Sequence, residues 1–385
     1  MIVYPDKLNI IFDKFKKFNI KAIFVGGFVR DFFLKINSKD IDIELYNAES
    51  FEQIVDILKE FANPNIIGKS FGVVKLKLDD LDIDFSLPRL DNKISKGHRG
   101  FEVMINSTLD FETAASRRDF TMNAIGFDPH TKKMLDPFNG VEDLKNKVLK
   151  IINPKTFVQD PLRVLRAMSF CARFELRCDK NLIFLCKNML EQNMLSELSQ
   201  SRVYEEFKKL FLKSKKPSIG LIFLKQIDAL DFFKELKMDN ESWANTLYSI
   251  DRFCTNKLED DKTNLLIILA LLCYELSDTD IKTFIYKLTN KRKLIRGIKS
   301  FHHVAKYLQN KSTKLLYKIT KDIDIEKLTA FLNAIDMPKE RMKLVPFIKP
   351  TMSGKDILKD EIKQSKDYSN ILQTIYEQQL KAKIR

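Results

Sequence analysis

Strand-type patterning in this 385-residue chain is confined to roughly its first 150 residues, and from about Pro161 onward the apolar spacing is helical. In the first part, Leu8, Ile11, Phe12 and Phe15 fall on one helical face. "AIFVGG" (22–27) is a short buried strand ending on glycines, and "DIDIELY" (40–46) alternates as a strand does. "VVKLKLDDLDIDFSL" (73–87) alternates on both sides of Asp79-Asp80, the pattern of a hairpin. Farther on, "DPLRVLRAMSFCARF" (160–174), "SRVYEEFKKLFLK" (201–213) and "NLLIILALLCYEL" (264–276) carry helical periodicity between breakers such as "KSKKPSIG" (213–220). The length exceeds what one hydrophobic core organises. The expected fold is α+β: a small mixed-sheet head over 1–150, a helical neck over 151–214, and a helical body and tail over 215–385.

Composition narrows the function. No apolar run reaches the 18 to 20 residues or so that a membrane span needs. The opening "MIVYPDKLNIIFDKFKKF" is broken by Pro5, Asp6 and Lys7, unlike a signal peptide. A cytoplasmic protein without a membrane partner is expected. The five cysteines, Cys171, Cys178, Cys186, Cys254 and Cys273, form neither a zinc nor a secreted disulfide framework, and reduced thiols are expected. Charge is uneven: residues 1–150 hold 23 basic and 23 acidic side chains, the rest 43 and 29, so the whole net charge of +14 lies after residue 150. A basic C-terminal half suits a polyanionic partner, although solvated lysine-rich helix faces would give the same count.

"VGGFVRDFFLKINSKDIDIE" (25–44) concentrates the chemistry. A glycine pair at a strand end lets backbone approach a phosphate, the amides of a following helix point at its oxygens, and Arg30 adds a permanent cation. The pattern is not GxGxxG and no βαβ unit follows, so a dinucleotide fold is a poor match. Asp40 and Asp42, two apart on a strand, project to one face, where a divalent cation would relieve their repulsion. The competing explanation is an edge strand with ordinary solvent-facing aspartates.

"GGFVRD" followed by "DIDIE" resembles the head-domain signature of the nucleotidyltransferase family that includes bacterial CCA-adding enzymes and poly(A) polymerases. "RRDFTMNAI" (117–125), "LDPFNGVEDLKNKVLK" (135–150) and "DPLRVLRAMSFCARF" follow in that family's order and spacing. The resemblance covers roughly residues 20–235. It implies that Asp40 and Asp42 hold catalytic Mg²⁺ ions for two-metal nucleotidyl transfer. Asp84, in "DIDFS", is the candidate third carboxylate, or else a polar-face residue of the hairpin. By the same resemblance, Gly27 and Arg30 contact the triphosphate and Arg117 the nucleotide, with Arg118 a second choice. Asp119 and Asn123 orient the ribose or brace the loop. "DPFNGVEDL" is a turn in which Pro137 and Gly140 act as backbone devices.

Asp160, Arg163 and Arg166, at i, i+3 and i+6, form a polar stripe. Asp accepts from the exocyclic amino group of cytosine or adenine and Arg donates to ring acceptors, so the pair could select C and A over U and G. An intrahelical salt bridge is the plainer alternative. The family commonly has Glu before this Asp, where Gln159 stands here. The loop "RLDNKISKGHRGF" (89–101) resembles the element that helps CCA-adding members switch from CTP to ATP, which argues against a chain adding only cytidines. The basic stretch of poly(A) polymerases is not evident.

The expected function is template-independent addition of the tRNA 3′ CCA from CTP and ATP, with the basic body holding the acceptor arm and elbow and no obligate protein partner. Partial (A-adding or CC-adding) enzymes, a poly(A) polymerase and an inactive tRNA-binding protein remain the alternatives. His302 and His303 lack the acidic partners of an HD-type phosphohydrolase pattern nearby in sequence, so "FHHVAKYL" reads as helix surface. "MSGKDIL" (352–358) faintly resembles the family's tail.

Overall fold

The computed structural model describes residues 2–38, 40–66, 72–93, 101–310, 323–343, 345, 348–350 and 368–384. Residues 94–100 of the expected switching loop and all of 352–358 lie outside the described residues. The chain divides into two compact units, Met1–Ser199 and Gln200–Arg385.

In the first unit α1 (Leu8–Lys17) leads into β1 (Lys21–Val25), α2 (Gly26–Phe33), β2 (Asp40–Tyr46), α3 (Phe51–Lys59), β3 (Asn65–Ile66), β4 (Val73–Leu78) and β5 (Leu81–Ser86). There follow β6 (Arg89–Lys93), β7 (Phe101–Ile105), α4 (Phe111–Ala115), β8 (Gly126–Asp128), β9 (Lys133–Leu135), α5 (Gly140–Lys145) and β10 (Val148–Leu149). The unit closes with α6 (Pro154–Phe157), α7 (Leu162–Phe174), β11 (Arg177–Cys178) and α8 (Lys180–Glu191). Seven strands form one sheet in the order β3-β4-β5-β2-β1-β8-β9. Within this sheet only β2 and β5 run parallel, a pairing that needs a crossover, and α3 with the β3–β4 hairpin supplies it.

The pleat of β2 divides its side chains between two faces. Ile41, Ile43 and Leu45 are buried. The expected face of α1 is buried too, and Phe12 meets Phe24 at 5.2 Å while Phe15 meets Phe85 at 5.7 Å. The alternate set, Asp40, Asp42, Glu44 and Tyr46, is left for the opposite face. The expected β4–β5 hairpin forms, with Asp79 at φ 57° in its turn. Only the first half of "DPFNGVEDL" is a turn, Asp136 to Asn139; from Gly140 on it is α5. A Cβ on Gly140 would stand 2.3 Å from the Thr121 carbonyl oxygen, a contact no other residue could make.

In the second unit are α9 (Gln200–Lys213), α10 (Ser218–Gln226), α11 (Asn240–Thr255), α12 (Asp261–Leu272), α13 (Asp278–Leu288), α14 (Arg292–Asn310), α15 (Ile325–Ala334), α16 (Lys339–Met342) and α17 (Tyr368–Ile384). Val203, Phe207, Leu210 and Phe211 of α9 are core, as their spacing predicts. Helix α12 is apolar nearly all round because α9, α11, α14 and α15 pack against it. No helix among the described residues is long and apolar enough to cross a membrane. The five cysteines are free thiols.

One expectation fails here. His302 and His303 are not a solvent-facing surface: their side chains are 12% and 24% exposed, and both lie against Asp278 of α13. The acidic partner was missed because it sits 24 residues upstream, on another helix, where no local pattern points to it.

Candidate active site

Val25 pairs with Asp42 across the antiparallel β1–β2 register, so Gly26 and Gly27 begin beside the second carboxylate. Gly26 takes φ 66°, and a Cβ there would stand 3.1 Å from Arg118 Nη1 and 3.2 Å from Asp42 Oδ2. Glycine is required both for that backbone conformation and for the close approach. The Gly27 amide hydrogen-bonds Asp42. Burial raises the pKa of Asp42 above the ordinary carboxylate value; Arg118 offsets part of this, and the like charges of Asp84 and Asp40 add to it.

Asp84 is the register partner of Asp42 on the parallel strand β5. Its carboxylate accepts from Lys75 Nζ at 2.6 and 2.7 Å. Among the described residues, Asp40, Asp42 and Asp84 do not converge as a three-ligand set; the single such cluster lies in the second unit. The donor set still fits a hard divalent cation. Asp40 and Asp42 offer carboxylate oxygens on one face, and the field of neighbouring carboxylates at Asp42 is what a cation would neutralise.

Glu44, two residues beyond Asp42, is the residue the sequence reading passed over. It is fully buried, accepts from Tyr46 Oη at 2.7 Å and from Arg117 Nη2 at 3.1 Å, and lies 3.7 Å from Arg118 Nη2. Burial works to raise its pKa, but Arg118 and Arg117 outweigh that and hold it below the usual range. Tyr46 is driven up by burial and by Glu44. The available signal was the alternation of "DIDIE" itself, which carries a third acid to the same face. Arg118 also donates from Nη1 to the Asn123 carbonyl at 3.2 Å. It, rather than Arg117, is the cation beside Asp42.

Arg30 is 5% exposed. It donates from Nε and Nη2 to Asp31 Oδ1 at 2.8 and 2.6 Å and from Nη1 to Asn123 Oδ1 at 2.7 Å, with its guanidinium 4.6 Å from the Phe174 ring centroid. These contacts brace α2 against the Thr121–Asn123 turn. Asn123 Nδ2 passes the connection on to Asp119 Oδ1 at 2.9 Å, and Asp119 Oδ2 accepts from Arg166 Nε at 2.6 Å. Burial acts to raise Asp119, but Arg166, Asn123 and Arg163 outweigh it and hold the carboxyl below its ordinary value.

The stripe expected along one helix begins ahead of it, because α7 starts at Leu162. Asp160 Oδ1 accepts the Leu162 amide at 3.1 Å. Arg163 donates from Nη1 to the Thr156 carbonyl at 3.1 Å and from Nη2 to the Arg117 carbonyl at 2.7 Å. The structure therefore joins Arg163 and Arg166 to the "RRDFTMNAI" segment, and through Arg117 and Glu44 to the strand of Asp40 and Asp42.

A family model described as the Poly A polymerase head domain matches residues 22–150. The CCA-adding enzyme of Francisella tularensis is 28% identical over 339 residues, covering 86% of this chain and 89% of the relative. That of Buchnera aphidicola is 32% identical over 267 residues, 68% of this chain and 60% of the relative. Thermotoga maritima CCA-adding enzyme, solved in complex with tRNA, superposes with a TM-score of 0.69 at 22% identity, over 99% of this chain and 96% of that one, which shows the fold. With the paired aspartates, the glycine turn and the arginine-rich segment all in place, the chain belongs to the nucleotidyltransferase family of bacterial CCA-adding enzymes and poly(A) polymerases.

Proposed function

We infer that this chain builds or repairs the 3′-terminal CCA of tRNA without a nucleic-acid template, from CTP and ATP with release of pyrophosphate. The observation that carries the reading is the continuous linkage from Glu44, on the strand of Asp42, through Arg117 to Arg163, in a chain whose similarity to a CCA-adding enzyme spans both units. Such a linkage fixes a base-reading helix relative to a catalytic strand, as a protein-side template demands.

Asp40 and Asp42 hold divalent metal, which we take to be Mg²⁺ because the ligands are hard oxygens. When bound, it activates the primer hydroxyl and stabilises charge on the attacked phosphate. Asp84 is the reserve ligand, free to join once Lys75 is displaced. The amides after Gly26 and the positive Arg118 suit the triphosphate. Arg30 acts from beneath, holding the helix that presents those amides. Asp160 and Arg163 read the base edge, with Arg166 setting their position through Asp119. Residues 1–150 serve as head, 151–214 as neck and 215–385 as the body that grips the acceptor arm and elbow in the cytoplasm.

Extension of a 3′-truncated tRNA, resolved to single nucleotides, tests this. Two additions with CTP and a third only with ATP present are expected. Extension only of tRNA ending in CC, additions that stop after two cytidines, or a long adenosine ladder would each replace the specificity assigned here.

A further inference from the structure

Asp278 opens α13 directly behind its Ser277 cap, and His302 and His303 are neighbours on α14. His303 Nε2 lies 3.1 Å from the Asp278 carboxylate, and His302 Nδ1 lies 3.8 Å from Asp278 Oδ1. One ligand atom from each of the three residues falls within 4.8 Å of the others, the single such His/Cys/Asp/Glu cluster among the described residues.

His302 Nδ1 is buried without a hydrogen-bond partner and faces Asp278 Oδ1, which is also buried and has His303 Nε2 3.1 Å away. A gap of 3.8 Å is too wide for a hydrogen bond. An ion about 2.0–2.2 Å from each fits between them. Lys299 Nζ approaches the other oxygen, Oδ2, at 3.6 Å, so the lysine does not occupy Oδ1.

We propose that Asp278, His302 and His303 form a second metal site, separate in kind from the aspartates of β2, that takes Zn²⁺ or a similar borderline transition metal. Two imidazoles and one carboxylate suit such an ion and disfavour Mg²⁺, which prefers oxygen ligands and water. Three protein ligands leave a fourth position for water. The ion would satisfy the orphaned His302 Nδ1 and pin the start of α13 to α14.

The test uses the full chain carrying Asp40→Ala and Asp42→Ala, so that the head carboxylates contribute nothing. After chelator treatment, Zn²⁺ is added, excess is removed by gel filtration, and metal content and melting temperature are measured. One equivalent retained, with a raised melting temperature, is expected. Adding Asp278→Asn or His302→Ala should weaken retention at least tenfold. Absence of retained Zn²⁺, or equal retention in both further variants, overturns the proposal. Should those variants fail to fold, Co²⁺ added to the chain without them decides: intense tetrahedral visible bands support the site, and a weak aqueous-like spectrum refutes it.

Discussion

Arg163 Nη2 donates to the backbone carbonyl of Arg117 at 2.7 Å, while Arg117 reaches Glu44 with its own side chain at 3.1 Å. One residue thus fastens α7 to β2. The planar fork of Arg163 serves two carbonyls at once, that of Arg117 and that of Thr156. Lysine keeps the charge but not the fork. Arg163→Lys should lower kcat/KM for CTP by about 10- to 100-fold, on the order of one or two charge-assisted hydrogen bonds, and raise UTP misincorporation relative to CTP. Single-nucleotide incorporation with each triphosphate checks this; unchanged rate and discrimination would remove Arg163 from base selection.

Asp42 is crowded by Asp84 and Asp40 in a partly desolvated position, so its charge costs folding free energy that Arg118 and the Gly27 amide offset only in part and a bound cation would recover. Asp42→Asn should stabilise the metal-free protein by about 0.5–2 kcal/mol while lowering nucleotide addition on the order of 10³-fold or more. Mg²⁺ should raise the melting temperature of the wild type and not of the variant. The affinity for tRNA should stay within about twofold. Residual turnover near wild type would refute the metal assignment.

Asp119 makes the opposite prediction. Its folded-state pKa is depressed, so the unfolded chain binds its proton first, at an ordinary value of about 4. The stability it contributes is complete above that value and is lost as pH falls from there through the folded value. Asp119→Asn removes the buried charge that faces Arg166 and should cost about 3–5 kcal/mol at pH 7. For a unit of this size that is a fall of roughly 10 °C in melting temperature. Melting curves of the two proteins should converge as pH drops below 4; a constant gap down to pH 2 would show that the charge is not what matters.

How much of this was legible in the sequence depended on whether the partners were local. Strand periodicity placed Asp40 and Asp42 on one face, and the Asp79-Asp80 turn placed the hairpin, because both signals lie within a few residues. The burial of Glu44 was hidden. A polar residue on an alternating strand reads as solvated unless Arg117 and Arg118, 73 and 74 residues later, are known to cover it. Arg30 was expected on the triphosphate, and its bond to Asn123, 93 positions away, was equally hidden. The pairing of Asp278 with His302 and His303 depends on how α13 and α14 pack, which periodicity alone does not encode.

The uneven charge yields the last prediction. Residues 1–150 are balanced, so electrostatic attraction for tRNA must come from the remainder, where the entire +14 resides. Each neutralised phosphate releases counterions, and affinity then falls as a power of salt concentration. Binding of tRNA, measured without nucleotide or divalent metal, should weaken at least about tenfold between 50 and 200 mM salt. Asp42→Ala should follow the same slope, because it changes the site of chemistry and leaves the basic half untouched. A flat response would mean that the excess lysines and arginines are solvated surface, and that recognition rests on shape and hydrogen bonding instead.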